Sequence, residues 1–124
     1  FFLCIFTYYV FKKPDVDVMK QAALLLVGKH DFKNFSTVKK SKSTVKEIYD
    51  IDIYTDDEEI QITLHANDFL HNMARMVIGT LIDIGLGNRK KEEIEDIFNP
   101  ESSVQASSPC DAKGLYLQEV LYER

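Results

Sequence analysis

Three stretches of the chain carry strict hydrophobic periodicities. "EIQITLHA", residues 59–66, alternates cleanly, with Ile60, Ile62, Leu64 and Ala66 on one face. "VKEIYDIDIYT", residues 45–55, alternates too: Val45, Glu47, Tyr49, Ile51 and Ile53 share a parity, with only Glu47 out of place. A period of two predicts half-buried strands, and the acidic "DDEE" between them predicts an antiparallel hairpin. From Phe69 to Ile84 the apolar positions close up. That run predicts a long helix, capped by Asn67 or Asp68 and ended by Gly85 and Gly87.

The remaining elements follow from weaker signals. Thr7 to Phe11 reads as a strand leading to a turn at Pro14. "DVDVMKQAALLLVG" reads as a helix, with Asp15 or Asp17 at its cap, Val18, Ala22, Leu25 and Leu26 along one side, and Gly28 as its stop. "KHDFKNFSTVKKSKST" is polar with two spaced phenylalanines and reads as a loop, in which His30 and Asp31 form an acid–base pair or, in the blander reading, Asp31 caps a turn and Phe32 plugs the core. "KKEEIEDIF" predicts a short helix, "NPESSVQASSPCDAK" a loop, and "GLYLQEVLYE" a closing strand. This order implies an α+β fold, a largely antiparallel sheet with helices packed on one face, in a single domain over residues 1–124.

One residue disturbs the greasy helix. At 100° per residue, Asp68, His71, Asn72, Arg75, Gly79 and Asp83 fall near one line, and nearly everything else from Phe69 to Ile84 is apolar. Burying an unpaired guanidinium costs several kcal/mol, so Arg75 needs a partner. In one reading it pairs structurally with Asp68, Asp83 or an acid on a neighbouring strand. In the other, the stripe faces a cleft and Arg75 orients a carboxylate or phosphate through its planar fork.

Charge and composition narrow the function classes. The net charge is −5, which argues against a dedicated nucleic-acid clamp, but the charges are segregated. Lys33 to Lys46 holds five lysines and no acid, and Asp50 to Glu59 holds six acids and no base. The lysine run is either a solvated face or a track along a polyanion. The two cysteines, Cys4 and Cys110, stand in unrelated contexts, which fits a reducing compartment and excludes a CxxC zinc site. His30, His65 and His71 show no metal-ligand spacing, and no metal site is read. The apolar start, "FFLCIFTYYVF", is too short to span a bilayer and reads as a strand.

At "NDFLHNMARMVIGTLIDIG" the pattern becomes specific. It resembles the FxxxMxRxxxGxLxxxG segment of the tRNA pseudouridine synthase A (TruA) family, with Phe69, Met73, Arg75, Gly79, Leu81 and Gly85 in the matching places. "GKHDFKNFS" is similar to that family's GxHDFxxF element, and "AKGLYLQEVLY" to its terminal GLxLxxVxY strand. The likeness runs from about residue 14 to residue 123.

The resemblance implies a cofactor-free, metal-free isomerase that converts uridines of the tRNA anticodon stem-loop to pseudouridine. An aspartate nucleophile in a GRTDxGVHA-like motif attacks the flipped-out nucleotide. Nothing like that motif occurs here. The chain is therefore expected to be the C-terminal half of such an enzyme, inactive alone, cytoplasmic, without a membrane anchor and part of a homodimer. Arg75 matches the family arginine that salt-bridges the aspartate of the N-terminal half. Lys39, Lys40, Lys42, His71 and Asn72 are the candidate substrate contacts. The competing reading is a stand-alone α+β interaction or RNA-binding module without catalysis.

Overall fold

A computed structural model of the chain describes residues 2–9, 13–37, 43–57, 59–99, 101–107 and 116–122. The elements are β1 (Phe2–Tyr9), α1 (Val16–Leu26), β2 (Gly28–Asp31), a 3₁₀ turn (Lys33–Phe35), β3 (Val45–Thr55), β4 (Glu59–Ala66), α2 (Met73–Gly85), α3 (Glu93–Phe98) and β5 (Tyr116–Tyr122). The strands form one sheet in the order β2-β3-β4-β1-β5. Every neighbouring pair is antiparallel. The helices pack against it, giving the expected α+β class.

The alternation in β4 is realised in full, with Ile60, Ile62, Leu64 and Ala66 all buried. β3 departs from its simple parity. Ile48 pairs with Ala66 and Asp50 with His65, so Tyr49 is an extra residue on one strand. Such a bulge switches the inward parity. Ile48 is therefore buried before it and Ile53 after it, while Val45 and Tyr49 are exposed. The DDEE corner closes as expected: the Asp56 carboxylate accepts from the Glu59 amide at 2.9 Å.

Asp15 caps α1, accepting from the Asp17 and Val18 amides. The buried side of α1 is Met19, Ala22, Ala23 and Leu26, whereas Leu25 points outward beside the strongly exposed Leu24. Gly28 does not merely stop this helix. With φ +116° it opens β2, a four-residue edge strand within the stretch read as a loop. Its side chains are too polar to reveal it, since an edge strand needs only backbone pairing with β3.

α2 begins at Met73, four residues later than its apolar pattern suggests. The reason is that its expected caps are occupied elsewhere. Asn67 exchanges two hydrogen bonds with Glu47, extending the β3–β4 ladder. Asp68 pairs with Lys46 at 3.2 Å. The chain then turns into the helix through Asn72, whose φ of 61° is left-handed, a conformation Asn tolerates better than most residues. Gly85 ends α2 by close packing. A Cβ there would lie 2.7 Å from Met19 and 2.8 Å from Pro14, and its carbonyl accepts from the Asp15 amide at 2.7 Å. Of the two glycines at this end, it is Gly87 that takes a positive φ, at +82°.

Sequence reading did not foresee the fastening of α3. Buried Asn34 donates to the carbonyls of Ile97 and Asn99 and accepts from Gln105, tying the 3₁₀ turn to the helix end and the following loop. The Glu93 carboxylate is held below its ordinary range, first by the Lys90 amide and then by Arg89. No helix among the described residues is long and apolar enough to cross a membrane.

Candidate active-site groove

Thirteen residues make up α2, and all but one are buried; the exception is Arg75. Because the helix starts at Met73, the predicted polar stripe does not run along it. Gly79 and Asp83, the two positions in line with Arg75, are covered. Asp68, His71 and Asn72 belong instead to the turn that precedes the helix. That turn nevertheless brings them to the same place as Arg75. All four line an open groove of about 520 Å³ whose floor includes Cys4 and Phe6 of β1. Clefts of roughly 300–1,000 Å³ suit small-molecule-sized ligands.

The groove is apolar below and polar at its rim. Cys4 and Phe6 are buried, as the inward alternation of β1 dictates. Both carboxylate oxygens of Asp68 are engaged, one with the Lys46 ammonium and one with the Phe69 amide. The Asn72 side-chain amide donates to the Thr37 hydroxyl at 3.1 Å, and the Thr37 amide donates to the His71 carbonyl at 3.1 Å. A half-buried guanidinium above an apolar floor is suited to holding an anion, carboxylate or phosphate, by two parallel hydrogen bonds.

Cys4 feels both features. Burial pushes its thiol up from 9.0 to about 11, with the Arg75 charge working in the opposite direction. The folded protein thus keeps this proton through a window, from about pH 9 to about 11, in which the unfolded chain releases it. Folding stability attributable to Cys4 should fall as pH rises through that window, by on the order of 2 kcal/mol. Urea unfolding of the wild type and Cys4→Ala at pH 8 and pH 10.5 checks this: the stability difference between them should shrink at the higher pH. A constant difference would refute it. Below pH 9 the thiol should also resist alkylation until the protein unfolds.

Other sequence candidates lie away from the groove. His30 stacks on Phe98, with centroids 4.2 Å apart and planes at 15°, and its Nε2 lies 3.1 Å from the Val27 carbonyl. Asp31 accepts from the Lys33 amide, as a turn cap does, and Phe32 is fully buried. Among the described residues no group of three or more His, Cys, Asp or Glu is arranged to hold a metal ion. Lys39, Lys40, Lys42 and Cys110 lie outside the described residues.

An antiparallel sheet backed by helices, with an arginine lining an open groove, defines an α+β protein, and the sequence comparisons identify its family. The sequence pattern of the tRNA pseudouridine synthase family matches residues 22–123, and the chain belongs to that family. It is 42% identical over 116 residues to tRNA pseudouridine synthase A 2 of Bacillus cereus, covering 93% of this chain and 47% of that protein. Against tRNA pseudouridine synthase A of a Thermoanaerobacter species the identity is 38% over 109 residues, covering 87% and 45%. The Brevibacillus brevis enzyme of the same name gives the same figures. The chain spans just under half the length of these relatives.

Proposed function

We propose that this chain forms one wall of the active site of a tRNA pseudouridine synthase, an isomerase acting on uridines of the anticodon stem-loop. The observation that carries the reading is Arg75: it occupies the motif position of the family arginine and lines an open groove in a helix otherwise wholly buried. An N-terminal half of the same enzyme supplies the nucleophilic aspartate across that groove. The guanidinium keeps this acid ionised and oriented for attack on the flipped-out nucleotide. No step of this chemistry calls for a metal or an organic cofactor.

His71 stands on the groove rim, where it meets the ribose or backbone of the extruded nucleotide, while the Asn72 side chain is turned to Thr37. Lys39, Lys40 and Lys42 follow Thr37 in sequence and serve the neighbouring phosphates. The whole of residues 1–124 acts as one C-terminal subdomain in a cytoplasmic homodimer. The exposed Leu24 and Leu25 support a further contact surface on α1.

The test is conversion of radiolabelled uridine in a tRNA transcript by the full-length protein, read by nucleoside analysis, with the 124-residue chain alone as control. Pseudouridine formation by the full-length protein alone is expected. No conversion with any anticodon stem-loop would defeat the reading. Binding of tRNA should also weaken steeply with salt, because each lysine–phosphate contact releases a counterion; a flat salt titration would remove the lysine run from the interface.

A further inference from the structure

The turn from Asn67 to Asn72 is held from two sides, by Thr37 and by Lys46 with Glu47. On one side Asn67 is bonded to Glu47 and Asp68 to Lys46. On the other, Thr37 is bonded twice, through its amide to the His71 carbonyl and through its hydroxyl to the Asn72 side chain. The second attachment meets the chain where its backbone is least relaxed, at the left-handed Asn72. From there α2 sets off, and Arg75 projects from its first turn.

We propose that Thr37 and Asn72 are positioning residues for Arg75: their side-chain hydrogen bond fixes the left-handed turn that aims the guanidinium into the groove. The inference rests on the function proposed above and deepens it. Left-handed backbone alone does not account for Asn72, because glycine would adopt it with less strain. What asparagine adds is the amide that reaches Thr37. The bond is solvent-exposed and contributes little to global stability. Its leverage is geometric, since a displacement of about 1 Å at a reacting group costs roughly a hundredfold in rate. The same bond ties Thr37 to the wall bearing the arginine.

The experiment compares Thr37→Val, Thr37→Ser and Asn72→Gly in the full-length synthase. Single-turnover rate at saturating tRNA and tRNA affinity are measured separately. Thr37→Val and Asn72→Gly should each lower the rate by about ten- to a hundredfold with affinity nearly unchanged. Thr37→Ser, which keeps the hydroxyl, should retain the wild-type rate. Asn72→Gly at full rate would overturn the inference, because it would leave the left-handed backbone as the residue's only role. A loss confined to affinity would overturn it too, since it would make these residues direct RNA contacts. If the wild-type enzyme converts no uridine, the function reading fails separately. Amide exchange then decides the positioning claim: faster exchange over Met73–Met76 in Thr37→Val supports it, and unchanged exchange refutes it.

Discussion

Replacing Arg75 by alanine in the full-length synthase is expected to lower the isomerisation rate by about a hundred- to a thousandfold, the cost of losing one preorganised charge at a reacting centre. Affinity for tRNA should stay within a few fold, because most of that affinity comes from phosphate contacts elsewhere. A helix buried at every other position bears the desolvation of one cation at its mouth, and that cation faces an apolar-floored groove. In such a setting its field on a facing carboxylate is poorly screened. On the proposed mechanism, without it a nucleophilic aspartate facing the groove would hold its proton to higher pH, so the acidic limb of the rate profile should move up by about one unit or more. Arg75→Lys should recover part of this shift but little of the rate, because an ammonium restores the charge without the two-pronged geometry. Near-normal rates in Arg75→Ala, or an unmoved acidic limb, would remove Arg75 from the chemistry.

Much of this site was legible from the residues, and what was not has physical causes. Arg75 stood out because a charge interrupts an apolar run, and the structure keeps it as the one incompletely buried position of α2. Helical geometry extended back over Asp68, His71 and Asn72 predicts a polar stripe that a helix beginning at Met73 does not carry. Periodicity reports which residues are apolar, and cannot tell that Asn67 and Asp68 are already bonded to Glu47 and Lys46 on a strand some twenty residues earlier. The residues still reach one groove, through a turn instead of a helix face. The bulge at Tyr49 is invisible for a similar reason. An apolar residue at both Ile48 and Tyr49 satisfies either parity, and only pairing with Ala66 and His65 decides between them. Thr37 carries no signal in its own neighbourhood, since its importance comes from meeting Asn72, thirty-five residues away.

The largest stability effect should come from Phe32→Ala, at about 3–5 kcal/mol. Phe32 is completely buried and sits among rings on three sides: Phe98 at 5.2 Å, Phe35 at 5.8 Å and His30 at 5.9 Å between centroids. Edge-on and tilted arrangements of this kind add to the area buried. The backbone of Phe32 also belongs to the supports of the site. Its amide donates to the Thr44 carbonyl and its carbonyl accepts from the Phe35 amide, so it closes the base of the segment that carries the lysines. Truncation therefore leaves a cavity where three elements meet: the edge strand β2, the 3₁₀ turn and α3. Chemical denaturation should show the loss directly. Amide exchange should show it spreading first to the 3₁₀ turn and to Thr37, and through Thr37 to the turn before α2. Phe32→Leu, which refills most of the volume without the flat ring, should cost less than half as much. If Phe32→Ala unfolds at the wild-type denaturant concentration, the aromatic cluster does not hold this end of the molecule together, and the rigidity ascribed to the groove wall must come from β3 and β4 alone.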